Sequence, residues 1–188
     1  MGVDEVGRGP LAGSVVAAAV VLPNPLPACL YTLNDSKKLS ESIRDQLEEP
    51  IRQYAVAYGV AFSDAAEIDR INILEATRKA MGRAIEMASK QLGRNPSMLL
   101  VDGHLTLPGY AGEQWPLVKG DGRSFNIAAA SVLAKVARDR FMTEMDTKYP
   151  VYGFVRHKGY GTRDHRRAIE IHGQCPLHRK SFKWRPVS

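Results

Sequence analysis

Asp4 and Glu5 stand side by side in a short apolar run, and Gly7-Arg8-Gly9 follows within two residues. A second apolar run, Ser14 to Leu22, comes next. This pattern predicts a strand, a turn and a second strand, with carboxylates where core residues belong. Burying two neighbouring carboxylates is costly unless a metal ion, a shared proton or an arginine compensates. Adjacent residues on a regular strand also point to opposite faces. Either the strand is irregular there, which Gly7 and Gly9 would permit, or the two acids contribute unequally to any common site.

The chain of 188 residues is long enough for one domain with a real core. It reads as a single unit over 1–188, with a basic, mostly helical C-terminal lobe from about residue 150. Its longest apolar stretch, Ser14 to Pro23, is strand-sized, so no membrane association is expected. Acidic residues come almost first, which does not fit a signal peptide. Cys29 and Cys175 are far apart and in no metal-ligand spacing, as expected of free thiols in a reducing cytoplasm. From Pro150 to Ser188 there are nine basic and two acidic residues, whereas the whole chain carries +6. All of the excess positive charge therefore lies at the C-terminal end, which fits a polyanion partner such as nucleic acid.

Local signals place the other elements. Ser40 is a natural N-cap for a helix whose apolar stripe would be Ile43, Leu47 and Ile51. Tyr54 to Phe62 reads as a strand, with Val56, Tyr58 and Val60 on one side. Asp64 with Glu67, then Asn72 with Glu75, predict a short helix followed by a longer one. The longer helix would run to Leu92, with Leu74, Met81, Ile85, Ala88 and Leu92 as its stripe and Gly93 closing it. Ser97 to Val101 reads as a buried strand ending in Asp102. Gln114 to Val118 reads as an edge strand, because Pro116 cannot donate to a ladder. Ser124 to Tyr149 is a long helix, alanine-rich in its first half. Residues 151–162 form an irregular loop, and Thr162 caps a last helix ending at Gly173. Strands and helices alternate after the first hairpin, so an α/β mixed sheet covered by helices is expected.

Four acids thus fall on strands or at strand ends: Asp4, Glu5, Asp102 and Asp121. In α/β sheets, sites form beyond strand ends. If these strands are neighbours, the carboxylates meet, and like charges raise one another's pKa. Hard divalent cations resolve that conflict. Oxygen ligands suit Mg²⁺ or Mn²⁺, and no Cys/His cluster suits Zn²⁺. A pair of ions ~3.5–4 Å apart is a recurring solution for phosphodiester chemistry.

The run Gly2-Val3-Asp4-Glu5-Val6-Gly7-Arg8-Gly9-Pro10-Leu11-Ala12-Gly13 closely resembles the signature of the bacterial ribonuclease HII family, the type 2 ribonucleases H. Further matching blocks follow in the family's order. They are Asn34-Asp35-Ser36-Lys37-Lys38-Leu39, Val101-Asp102-Gly103, Lys119-Gly120-Asp121, Ala128 to Val136 with Arg138-Asp139, and His157-Lys158-Gly159-Tyr160-Gly161-Thr162. The resemblance implies a ribonuclease H-like mixed five-stranded sheet flanked by helices, with a small helical C-terminal lobe. It implies an endoribonuclease, a phosphodiester hydrolase that cuts the RNA strand of RNA/DNA hybrids. Such an enzyme also cuts duplex DNA 5′ of a single embedded ribonucleotide, leaving 3′-hydroxyl and 5′-phosphate ends, and serves ribonucleotide excision repair and RNA primer removal.

Residue by residue, the metal-binding catalytic acids of the family fall on Asp4, Glu5, Asp102 and Asp121, with Mg²⁺ or Mn²⁺ as cofactor and two ions at turnover. The element that senses the 2′-hydroxyl falls on Gly7, Arg8 and Gly9. The tyrosine that stacks on the next deoxyribose falls on Tyr160. The backbone-proximal loop falls on Ser36, Lys37 and Lys38. Glycines at 7 and 9 would let main-chain groups approach a 2′-hydroxyl, the group that separates RNA from DNA. A cytoplasmic monomer is expected. The departure from the family is a first strand that begins almost at its catalytic acid, leaving fewer ladder bonds to hold Asp4. A proofreading-type exonuclease, a silent nucleic-acid-binding module and a metal-independent structural protein are the rival readings. His104, beside Asp102-Gly103, is not expected to be catalytic, and His165, His172 and His178 are expected at the surface or at helix ends.

Overall fold

The computed structural model describes residues 1–34, 36 and 39–187. Lys37 and Lys38 lie outside the described residues. Five strands form one sheet: β1 (Gly2–Val6), β2 (Val15–Val21), β3 (Ala57–Ser63), β4 (Met98–Asp102) and β5 (Glu113–Leu117). Their order across the sheet is β3-β2-β1-β4-β5. β2 runs antiparallel to both of its neighbours, β1 and β3, while β1, β4 and β5 are parallel. This is the expected mixed sheet, with the acid-bearing strand at its centre and Pro116 on the edge.

The described residues form six α-helices: α1 (Glu41–Tyr54), α2 (Ala65–Ile71), α3 (Ile73–Leu92), α4 (Phe125–Lys148), α5 (Phe154–His157) and α6 (Arg163–His172). Their starts are chemically local. Ser40, Asp64, Asn72 and Thr162 each accept a backbone N–H from the first turn. Gly93 ends α3 in the left-handed conformation at φ 72°.

The two faces of the sheet are covered differently. α4 and α1 pack on one face, where Val16, Ala18 and Val20 meet Ala129, Val132, Leu133, Leu47 and Ile51. α3 packs on the other, where Val3, Ala17, Ala19, Ala57 and Ala61 meet Ala80, Met81, Ala84 and Ala88. Small residues let α3 come close: a Cβ on Gly59 would lie 2.2 Å from the Ala84 carbonyl oxygen. The third core belongs to the C-terminal lobe and joins Ala12 and Met142 to Tyr152, Phe154 and Ile169.

Three local expectations are corrected. Ile43 is exposed, and Arg44 and Glu48 take buried places on α1. Their charges are met by partners that spacing does not reveal: Arg44 donates to the Ser36 and Leu39 carbonyls, and Glu48 accepts from Arg52 and Arg140. The third strand starts later than expected because α1 runs on to Tyr54, leaving Val56 exposed. Residues 151–162 are not wholly irregular, since a 3₁₀ turn at Pro150–Tyr152 and the one-turn α5 lie within them.

Candidate active site

The parallel pairing of β1 with β4 sets Gly2 beside Leu100 and Val3 beside Val101. Continuing that register brings Asp4 alongside Asp102 at the carboxyl ends of both strands, where α/β sheets place their sites. Asp4 is 5% exposed. It pairs with Ala18, which lies on the α4 face, whereas Glu5 pairs with Ala17, which lies on the α3 face. The strand is therefore regular, and the two acids do divide between the faces. Their charges still interact. Burial, then Glu5, then Asp102 hold the Asp4 carboxyl well above the usual carboxylate range. The Glu5 amide donates to Asp4 Oδ1 at 2.7 Å, and Glu5 itself meets the Arg8 guanidinium at 3.4 Å.

Asp102 and Asp121 are joined through a turn. Asp102 Oδ1 accepts the Gly120 amide at 2.7 Å, and Asp121 is buried in the following 3₁₀ turn. A Cβ at Gly120 would lie 2.6 Å from Ile127 Cδ1 and 3.3 Å from Asp102 Oδ1, so a larger residue there would crowd this approach. Asp121 lines a cavity of about 240 Å³ with Asn34, Arg123 and Phe125. All four acids thus lie at one end of the sheet or in the turn that follows it. Among the described residues, no three of them close into a ready-made metal cage.

Ser36 reaches this cluster indirectly. Its hydroxyl lies 2.7 Å from that of Ser131 on α4, and Ser131 hydrogen-bonds Asp4. Ser131 was missed as a site residue. Its signal was available, as a lone hydroxyl in the alanine-rich half of a buried helix.

The Gly7-Arg8-Gly9 segment is held by two arginines that sequence reading also missed. Arg179, 1% exposed, donates to the carbonyls of Gly7 (2.6 Å), Arg8 (2.9 Å) and Gly13 (2.8 and 3.0 Å). Arg138, fully buried, donates to the carbonyls of Ser14 (3.0 Å) and Ala12 (3.2 Å). Burial, reinforced by the like charge of Arg138, pulls the Arg179 guanidinium down to about 9, so it remains charged at neutral pH. Gly7 is buried at φ 91°, while Arg8 and Gly9 are exposed. A Cβ on Gly7 would lie 2.2 Å from Arg138 Nε, whereas one on Gly9 would meet nothing within 4 Å.

Tyr160 stands beside this segment. Its side chain is 45% exposed, and Arg138 lies over its ring at 5.9 Å. Three buried histidines hold its main chain; His165 lies at a helix end as expected, in the first turn of α6, but neither it nor His178 is at the surface. The Cys175 amide donates to His178 Nδ1 (3.0 Å), so the His178 proton is on Nε2 and is directed at His165 Nε2 (3.1 Å). His165 Nδ1 then donates to the Tyr160 carbonyl (2.9 Å). His157 receives the Gly159 amide on Nδ1 and donates from Nε2 to the Tyr152 carbonyl. Each ring has one donor and one acceptor nitrogen in use, which requires all three to be neutral. Burial lowers the pKa of each. His104 is exposed and outside these contacts.

The family model and the curated relatives agree on one family, and the solved structures share the fold. The model described as Ribonuclease HII matches residues 1–185. Ribonuclease HII of Ruminiclostridium cellulolyticum is 53% identical over 181 residues, covering 96% of this chain and 68% of that protein. Ribonuclease HII of Chlorobium phaeovibrioides is 53% identical over 190 residues, covering 100% of this chain and 91% of that protein. Among solved structures, ribonuclease H2 from Pyrococcus horikoshii superposes with a TM-score of 0.79 at 24% identity, covering 97% of this chain and 92% of that one. RNase HII in the PCNA complex from Archaeoglobus fulgidus gives 0.76 at 24% identity, covering 100% and 96%. Bst-RNase HIII in complex with Mn²⁺ gives 0.70 at 19% identity, covering 96% and 66%.

Proposed function

This chain belongs to the ribonuclease HII family, enzymes that hydrolyse the RNA of RNA/DNA hybrids, and from that premise we propose that it also cuts duplex DNA on the 5′ side of single embedded ribonucleotides, leaving 3′-hydroxyl and 5′-phosphate ends. The observation that carries this reading is the arrangement of Asp4 with Asp102 at adjacent strand ends, next to a glycine loop whose carbonyls are bonded by the buried Arg179.

The acids fit a hard divalent cation by their chemistry. The donors are all oxygen, and burial together with Glu5 and Asp102 pushes the Asp4 carboxyl upward, a conflict that a bound cation would relieve. Mg²⁺ commonly uses one or two carboxylates together with substrate phosphate oxygens. That habit agrees with a set that does not close into a cage by itself. Asp4, Glu5, Asp102 and Asp121 would hold Mg²⁺ or Mn²⁺; the Bst-RNase HIII structure is a Mn²⁺ complex. When bound, such ions neutralise phosphate charge and lower the pKa of the attacking water.

The chain's own residues do the rest. The main chain of Gly7 to Gly9 contacts the 2′-hydroxyl, because Gly9 puts no side chain in the way and Arg179 fixes where the carbonyls of Gly7 and Arg8 point. Arg8, exposed, engages the neighbouring phosphate. Tyr160 packs its ring on the deoxyribose that follows and so selects the RNA–DNA junction. Lys158 and the arginines of α6 add contacts that are independent of sequence and sensitive to salt.

The test is a Mg²⁺ and Mn²⁺ titration on a duplex with one ribonucleotide. Cleavage is expected only at that nucleotide, only with metal, and not with Asp4→Asn. Cutting of an all-DNA duplex, or activity retained by Asp4→Asn, would overturn the reading. Tyr160→Ala is expected to lose cleavage at single ribonucleotides more than it loses binding; equal losses would remove its positioning role.

A further inference from the structure

Beyond Tyr160, the lobe carries a cavity of whose lining the roles above use only Arg166. It has a volume of about 430 Å³ and is lined by Leu11, Gly161, Arg166, Lys183, Trp184 and Arg185. Gly161 directly follows Tyr160, and Leu11 lies two residues after Gly9. The lining therefore includes chain neighbours of both segments assigned to the ribonucleotide junction. Leu11 and Trp184 pack on the lobe core, so the apolar wall is fixed.

The charges around this wall are uncompensated. Among the described residues, Arg166, Lys183 and Arg185 form no ion pair, and the lining contains no acid. The nearby Glu170 accepts the Val187 amide. Arg166 donates from Nη1 to the Arg185 carbonyl at 3.4 Å, while its Nε is buried and has no acceptor among the described residues. A buried donor without a partner costs ~1–3 kcal/mol, so this one is suited to an anionic ligand oxygen.

One indole, one leucine and three cations match the chemistry of a sugar–phosphate unit. The sugar offers an apolar face to the ring, and the phosphate meets the guanidinium groups. In an intact duplex the bases are stacked inside, while sugars and phosphates remain accessible. We propose that this cavity is a second substrate subsite, which binds the sugar–phosphate backbone of the duplex flanking the cleavage position. The deoxyribose rests on Trp184, and its phosphate is held by Arg166, Lys183 and Arg185. This rests on the reading that Tyr160 and the Gly7-to-Gly9 loop contact the junction, since those segments set the direction in which the duplex enters the cavity.

The chain has two tryptophans, Trp115 and Trp184. Trp115→Phe therefore leaves Trp184 as the single indole reporter. A duplex with one ribonucleotide, added in EDTA, is expected to change the Trp184 emission saturably, whereas dAMP or inorganic phosphate at equal concentration is not. Arg166→Gln with Arg185→Gln is expected to weaken duplex binding by roughly tenfold or more at physiological salt and to make the slope of log K against log[salt] shallower by about 1.8. A silent Trp184 or an unchanged salt slope overturns the proposal. An equal response to dAMP or phosphate also overturns it and marks the cavity as a free-nucleotide or adventitious anion site. The Tyr160→Ala measurement separates the two levels of inference. A responsive Trp184 with an indifferent Tyr160→Ala removes the junction reading and leaves the subsite standing. A silent Trp184 with the expected Tyr160→Ala loss does the reverse.

Discussion

Acid should loosen the C-terminal lobe through His165. The ring is fully buried between the Tyr160 carbonyl and His178, and burial lowers its pKa from 6.5 to about 4. The value is depressed in the folded state, so the unfolded chain takes up the proton first. The stabilising contribution is complete above pH 6.5 and is lost as pH falls through that value towards 4. Linkage over this interval amounts to about 2 kcal/mol between pH 7.5 and pH 5 and about 3 kcal/mol in full. For a domain of this size, 2 kcal/mol corresponds to roughly 4–8 °C in melting temperature. His157 and His178 shift in the same direction and add to the effect. The assay is urea unfolding followed by circular dichroism from pH 7.5 to pH 5, comparing the native chain with His165→Asn. Asparagine keeps an N–H donor for the Tyr160 carbonyl but does not titrate. The variant is expected to start lower at pH 7.5 and to lose about 2 kcal/mol less on acidification. Every carboxylate is common to both proteins, so the difference isolates the ring. Parallel pH dependences would refute the reasoning.

Two further outcomes follow from the loop and the acids. Asp4→Asn, which removes a buried charge held among like charges, is expected to raise stability by about 0.5–2 kcal/mol while abolishing cleavage, as a melt and an activity assay on one preparation would reveal. Gly7→Ala combines a φ of 91° with a Cβ 2.2 Å from Arg138 Nε and is expected to cost about 2–4 kcal/mol in urea unfolding; Gly9→Ala, with open space around it, is expected within 0.5 kcal/mol of the native chain.

What could be read from the sequence was what depends on neighbours in the sequence. The caps at Ser40, Asp64, Asn72 and Thr162 each bond within three residues, so their chemistry is visible in a short window. The acids were visible because a carboxylate at a strand end is out of place by type. The side chains that hold the site were not visible, because their partners are carbonyls, which every residue has. Arg138 finds its acceptors 124 and 126 residues away. The basic C-terminal residues look alike in the sequence, all of them fitting a polyanion partner. Yet Arg179 is buried on main-chain oxygens, whereas Arg166 and Arg185 line an open cavity. Ile43 misled for a related reason. Apolar spacing marks a face, but an arginine that satisfies its charge on distant groups can take that face instead.

The bonds from Arg179 to Gly7, Arg8 and Gly13 join residues 172, 171 and 166 positions apart. On the ribosome the strand that carries Asp4 and Glu5 emerges long before the clamp for the adjoining loop, since Arg179 follows Gly7 by 172 residues. β1 can pair with β2 early, but its other edge waits for β4, and Gly13 waits for the Leu177 carbonyl as well as for Arg179. The loop proposed to read the ribose is therefore completed only once Arg179 has been made. A nascent chain that stops short of Arg179 carries the acids without the main-chain bonds that fix the adjoining loop.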